Sequence, residues 1–400
     1  MSSTPLPLFP TTMVGSWPRP APLLRARRQR ARGEIPASEL AQIEDEAVLD
    51  VLRIQEEIGL DIVTDGEQRR DNFYSFAAER LEGVRLMSLQ EMLDVVEDRA
   101  GFERLLQTLD VPAFSIYNPT CVGPLRRRAP MAAGECRFLR SHTDRPIKIP
   151  LPGPYLLTRA MWVKELARDV YPTKEDLAED VVAILREEIA DVQAAGANFV
   201  QLDEPVLTEV ALNPGGTRTF MCAALAARAD PAEELEWAVS LINRVVEGVE
   251  GIRTGVHVCR GNWSRDESTL LQGSYNPLAP YLARLNVDQL VLEFATPRAG
   301  ELESLLRDDR IAKEKELGLG VLNPRTERVE DVEEIEKRVE EALRIVAPNR
   351  IFLNPDCGFG TFSSRPMNEI AAAVAKLNAM VDAANALRER HSRGLRGETL

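Results

Sequence analysis

The chain has 400 residues, with 49 Lys and Arg against 63 Asp and Glu, for a formal net charge of −14. That acidity, with no basic block beyond Arg126-Arg127-Arg128, argues against a nucleic-acid surface. Apolar residues make up 44%, ample for a core, yet no stretch approaches 18 uninterrupted apolar residues and the first residues lack the basic and apolar regions of a signal peptide, so a cytoplasmic protein that does not engage a membrane is expected.

Short apolar, β-branched runs recur down the chain: Phe9 to Trp17, Asp61 to Glu67, Pro146 to Pro154, Asn198 to Pro205, Arg253 to Gly261, Gln289 to Ala295, Leu317 to Pro324 and Arg350 to Gly358. Most are separated by helical patterns. Ser38 to Ile58 has apolar residues at helical spacing, Lys174 to Ala195 opens after an N-capping Thr173 and closes before Gly196, and residues 326–346 open at Thr326 as an amphipathic surface helix. Eight strands alternating with helices predict an α/β chain folded as a single (β/α)8 barrel. The stretch of about 70 residues between the second and third runs is too long for one helix. It predicts an insertion at about 80–145, holding helices and a hairpin around Gly101 to Arg140. One domain is expected over 1–385, followed by a polar tail over 386–400. His391 then reads as a surface residue, and the triple Arg as a solvated loop.

Candidate chemistry falls at the carboxyl ends of these strands, the face where barrel sites are built. Strand one ends in Val14-Gly15-Ser16, strand two in Asp65-Gly66-Glu67, and strand four in Gln201-Leu-Asp203-Glu204-Pro205. Strand five carries His257 and Cys259, strand six Glu293, and strand eight Asp356-Cys357. For any one carboxylate a helix cap or a surface ion pair is an equal reading; the joint placement favours a site. An imidazole and two thiolates are donors that zinc selects, and their dispersion along the chain is wrong for a zinc finger but right for a site assembled by a large fold. The period-2 spacing of His257 and Cys259 puts both on one face of their strand. Glu293 interrupts an apolar strand, and a buried charge needs a partner. The partner is either a metal, completing a set of His257, Cys259, Glu293 and Cys357, or an Arg such as Arg298. Five cysteines, an odd number, argue against a disulfide framework, and Cys121, Cys136 and Cys222 read as ordinary thiols.

Taken in order, Thr11-Thr-Met-Val-Gly-Ser-Trp-Pro-Arg-Pro20, Asp203-Glu-Pro205, His257-Val-Cys259, the Glu293 strand and Asn354-Pro-Asp-Cys-Gly358 resemble the catalytic barrel of cobalamin-independent methionine synthase, within the zinc-dependent thiol alkyltransferases that include epoxyalkane:coenzyme M transferase. The resemblance implies Zn2+ held at His257, Cys259, Glu293 and Cys357. It also implies an acceptor amino acid held at Ser16, Glu67 and Asp203. The acid pair Glu67 and Asp203, catalytic and substrate-binding at once, suits an ammonium such as homocysteine's. Zinc would deliver the acceptor sulfur as a thiolate.

This chain has room for one barrel where the full-length synthase has two, and the stretch Gly320-Val-Leu-Asn-Pro-Arg-Thr-Glu327 lacks the His that the family's methionine synthases carry after the seventh strand. The expected activity is S-methyl transfer to a small thiol, most simply homocysteine to methionine. The donor is open between methylfolate and methylcobalamin, and self-association is left open. The rival readings are epoxide opening by a thiol of the coenzyme M type on the same zinc, and a non-catalytic zinc-binding partner in a methyl-transfer complex.

Overall fold

The computed structural model describes residues 5–95, 117–212, 230–262, 264–265, 271–363 and 365–397. Cys222, Trp263 and part of the expected insertion lie outside them. Six parallel strands form one sheet in the order β3 (Lys148–Pro152), β4 (Phe199–Asp203), β5 (Arg253–Val258), β6 (Gln289–Leu292), β7 (Glu316–Leu322) and β8 (Ile351–Pro355). Almost every residue in them is buried, which is why they read as continuous apolar runs. Polar side chains nonetheless line one face. The register pairs Lys148 with Phe199, Gln201 with Gly255, Asp203 with His257 and Gly320 with Asn354. Alternation therefore carries Lys148, Gln201, Asp203, His257, Gln289, Asn354 and Asp356 to a common side.

The expected first and second strands are extended but not regular strands. Thr11 bridges Leu353 of β8, Thr12 bridges Ile62, and Val63 bridges Ile147 beside β3, each as a single parallel bridge. Side chains intercept the donors a ladder would use: Asp61 Oδ2 takes the Thr11 N–H at 2.8 Å, and Gln55 Oε1 takes that of Thr64 at 3.0 Å.

The segment between them and β3 does hold a hairpin, placed earlier than expected: β1 (Leu81–Ser88) pairs antiparallel with β2 (Tyr117–Arg127). A helix, Ala133–Arg140, follows it. Arg127 is no solvated loop residue. It reaches Glu188 and Asp191 at 2.5 Å, while the buried Glu188 carboxylate also accepts from the Met131 and Ala132 N–H groups at 2.7 Å.

The helices follow the expected caps with one exception. Helix α1 (Ala37–Ile58) ends at Gly59 with φ 92°, the left-handed turn that glycine adopts without strain. Helix α2 (Lys174–Ala194) starts at Thr173, whose hydroxyl accepts from Asp176 N while Asp176 bonds back, a pair worth about 1 kcal/mol. It buries Leu177, Val181, Leu185, Ile189 and Val192 at helical spacing. Helix α3 (Val332–Leu343) is capped at Asp331 rather than Thr326. The last helix, α4 (Ile370–Gly397), continues through the segment expected as a polar tail. Its length and apolar content match a membrane-crossing helix, but Ala373, Leu377, Met380, Ala384 and Leu387 are buried in the protein core. Arg388 donates to the Leu8 and Phe9 carbonyls, and His391 packs edge-on against Phe9 at 5.3 Å.

Candidate active site

Strand β5 delivers His257, and the turn after it Cys259; the ends of β6 and β8 add Glu293 and Asp356-Cys357. Two hydroxyls pin that turn: Tyr275 donates to Val258 O at 2.8 Å and Thr208 to Cys259 O at 2.7 Å. One donor atom each from His257, Cys259 and Cys357 lies within 4.8 Å of the others. His257 Nδ1 is 3.0 Å from Asp203 Oδ1, which aims Nε2 away from that carboxylate. A carboxylate behind an imidazole is the arrangement that fixes the tautomer of a ligating histidine. Burial opposes a charge on His257, but Asp203 and Cys259 outweigh it and lift the imidazole to about 9. The hydrogen bond from Cys357, with His257 nearby, holds the Cys259 thiol below its ordinary value.

Glu293, 1% exposed, stands outside that set of three. Its Oε1 accepts from Arg260 N at 2.8 Å and from Asn262 Nδ2, and its Oε2 from Arg298 at 3.3 Å. Beside it, burial and the Glu293 charge push Asp356 up to about 8, although the Phe294 and Ala295 N–H groups hold its Oδ1 at 2.9 Å.

Across Asp203 lies a second group of residues. Glu67 is 2% exposed and sits at φ 54°, a left-handed backbone that only a tight turn imposes on a side chain. Asp65 Oδ1 accepts its N–H at 2.9 Å. A methyl added at Gly15 would meet Glu67 Oε1 at 2.5 Å, so glycine there is what admits the carboxylate. Glu67 Oε2 is buried with no hydrogen-bond partner among the described residues. Burial raises Glu67 to about 7 against the pull of Arg70 and Arg19, with Asp203 and Asp65 adding to the rise. Ser16 Oγ accepts from Arg19 at 2.7 Å.

Glu204, next to Asp203, has a structural role: it accepts from the Tyr155 and Leu156 N–H groups at 2.8 and 2.9 Å, capping a helix. Ser16, Glu67 and Asp203, expected from the sequence, lie near one another, but the acid pair has basic neighbours that the sequence pattern did not point to. Arg19, Arg70 and Lys148 supply them. Lys148 is fully buried on β3, its Nζ has no hydrogen-bond partner among the described residues, and burial lowers it to about 7 while Asp203 and Glu67 oppose the fall. A lone cation inside Ile147-Lys-Ile-Pro-Leu151 was the signal, by the same reasoning that singled out Glu293.

Residues 9–386 match the family described as "Cobalamin-independent synthase, Catalytic domain". The chain is 30% identical over 386 residues to a methionine synthase of Saccharolobus islandicus (strain L.S.2.15 / Lassen #1), covering 96% of each chain. It is 30% identical over 354 residues to that of Pyrococcus furiosus, covering 88% of this chain and 87% of the relative. Among solved structures, a B12-independent methionine synthase from Shewanella sp. W3-18-1, in complex with selenomethionine, superposes with a TM-score of 0.72 at 24% identity, covering 96% of this chain and 99% of that one. A putative vitamin-B12-independent methionine synthase from Listeria monocytogenes gives 0.68 at 23% identity, covering 96% and 99%.

Proposed function

Because the chain belongs to the cobalamin-independent methionine synthase catalytic-domain family, we propose that it is a zinc-dependent methyltransferase that carries a methyl group to homocysteine or a close amino-acid thiol. The observation that carries this reading is the convergence of His257, Cys259 and Cys357 to within 4.8 Å. We read the six-stranded sheet with its three single bridges as a (β/α)8 barrel, the bridges at Thr11, Thr12 and Val63 linking β8 round to β3. The donor set fits zinc: one imidazole held by a carboxylate and two thiols, one already biased towards thiolate. Glu293 is the fourth ligand in this reading, which requires it to leave Asn262 and Arg298. When bound, zinc supplies a thiolate from the acceptor's thiol at neutral pH.

The remaining work falls to the chain. Glu67, through its unpartnered Oε2, accepts a hydrogen bond from the acceptor's ammonium, and Ser16 donates to its carboxylate. Asp203 keeps the imidazole in place and adds negative charge beside the ammonium. The acceptor sulfur then forms a bond to the methyl carbon as the bond from that carbon to its carrier breaks, and the electron pair leaves with the carrier. An epoxide-opening thiol of the coenzyme M type would place a sulfonate against Glu67, which the unpaired carboxylate disfavours.

A folate leaving group needs a proton, a contribution of about 10²- to 10⁴-fold. The segment after β7 offers none by a histidine: Asn323 N donates to Glu330, Arg325 N to Asn323, and Glu327 is exposed beside Arg265 at 3.6 Å. Transfer from methylcobalamin should therefore outpace transfer from monoglutamyl methyltetrahydrofolate when initial rates are compared at saturating homocysteine on zinc-loaded protein. Efficient use of methylfolate would shift proton donation to Asp356 or Glu327 through water. No turnover by the purified protein with any donor would favour a non-catalytic zinc-binding partner.

A further inference from the structure

Arg19 is buried in the Trp-Pro-Arg-Pro turn directly after Ser16, and its guanidinium reaches three separate loops. Nη1 donates to Ser16 Oγ at 2.7 Å, to Trp17 O at 3.1 Å and to Gly360 O at 2.6 Å. Nη2 donates to the backbone carbonyls of Glu67 at 2.8 Å and Arg70 at 2.9 Å. All five acceptors are neutral oxygens, and the Glu67 carboxylate is the charge that acts most strongly on the guanidinium. The loops pack closely on the Ser16 turn: a methyl at Gly358 would meet Ser16 Cβ at 2.8 Å, and one at Gly360 would meet Trp17 O at 2.4 Å.

A hydroxyl oxygen that accepts from a guanidinium keeps a single proton, which must point elsewhere. Building on the amino-acid-thiol reading, we propose that Arg19 is a positioning residue that locks Ser16 as a hydrogen-bond donor towards the acceptor's carboxylate. The ammonium side has further supports of its own: Asp65 accepts from Glu67 N, and the Glu67 carbonyl that Arg19 reaches also accepts from Arg70 N at 3.0 Å. Arg19 therefore acts on the carboxylate through the Ser16 side chain and touches the amine side only at the Glu67 backbone, where Arg70 N shares the carbonyl.

Three matched thiols separate these roles: L-homocysteine, 4-mercaptobutanoate, which lacks the amine, and 3-aminopropane-1-thiol, which lacks the carboxylate. Affinities measured calorimetrically on zinc-loaded full-length protein at pH 8 should fall about 10-fold for the two carboxylates in Arg19→Lys and stay within about 2-fold for the aminothiol. Arg19→Gln, made in parallel in case the lysine variant fails to fold, should show the same split. In a Ser16→Ala background the Arg19 substitutions should add less than about 2-fold, because their effect runs through the missing hydroxyl. Equal weakening of all three thiols, or full additivity with Ser16→Ala, overturns the proposal. Wild-type protein that binds 4-mercaptobutanoate through Arg19 yet ignores homocysteine overturns the amino-acid acceptor and leaves the role of Arg19 standing.

Discussion

Two carboxylates of the site, Glu293 and Glu67, are equally buried and sit in opposite circumstances. Glu293 is surrounded by donors from Arg260, Asn262 and Arg298. Glu67 has one oxygen pressed against Gly15 and the other unpartnered, and it is lifted to about 7. A buried carboxylate left short of donors costs on the order of 1 to 3 kcal/mol, and a charged one more. The contrast teaches which acid is complete in itself and which is short of a cation: Glu293 sits in a cage of protein donors, whereas Glu67, in the proposed reading, would be completed by a positively charged ligand.

The largest expected effect tests the metal side. His257→Ala or Cys357→Ser should drop zinc from about one per chain to a small fraction and lower activity by about 10³-fold or more, since metal assistance is worth several kcal/mol. Metal analysis by mass spectrometry alongside initial rates checks this, and full zinc and full activity in Cys259→Ala would remove the mechanism. Next comes Asp203→Asn, which touches both sides because Asp203 holds His257 Nδ1. It should weaken zinc by about 10- to 100-fold and also raise the KM for homocysteine; an unchanged zinc affinity from competition with a chelator would confine Asp203 to the acceptor.

Glu67→Gln should act on one side only, raising the homocysteine KM by roughly 10-fold with zinc retained. The smallest effect concerns pH. An ammonium needs the Glu67 carboxylate ionised, so kcat/KM for homocysteine should climb with pH up to about 7 and level above it, and the climb should vanish in Glu67→Gln. Stability should run the other way. Folded Glu67 keeps its proton up to about 7 while the unfolded chain loses its own near 4.5, so the wild type should lose Tm relative to Glu67→Gln as pH rises between those values. Parallel Tm curves for the two proteins would show that Glu67 is not strained by its burial.

The chain alone pointed to β3 to β8 and to His257, Cys259 and Cys357, which converge, because parallel strands buried on both faces leave long apolar runs whose polar interruptions are conspicuous. It overcalled the first two strands. Thr11 and Thr64 carry the apolar, β-branched pattern, but Asp61 and Gln55 take their backbone donors through contacts that no local pattern encodes. The acid pair was visible and its surroundings were not. Arg70 is three residues from Glu67 in sequence, yet it turns away to Glu135 at 2.8 Å, and Arg19 reaches Glu67 only through the folded turn. The polar run beginning at Arg388 reads as a tail because its partners, Leu8, Phe9 and Asp61, lie at the other end of the chain.

That last contact bears on the order in which the protein can assemble as it is made. Arg19 ties together residue 16, residue 67 and residue 360, and the segment leading into Ser16 is fastened by Arg388. Domains emerge from the ribosome N-terminus first, at about 5 to 20 residues per second. The opening segment must therefore wait, unpaired along its edge, until almost the whole chain has been synthesised. Contacts of such long sequence separation form slowly, so this seam is where a growing chain is most exposed to mispairing with its neighbours and where a chaperone would have most to protect.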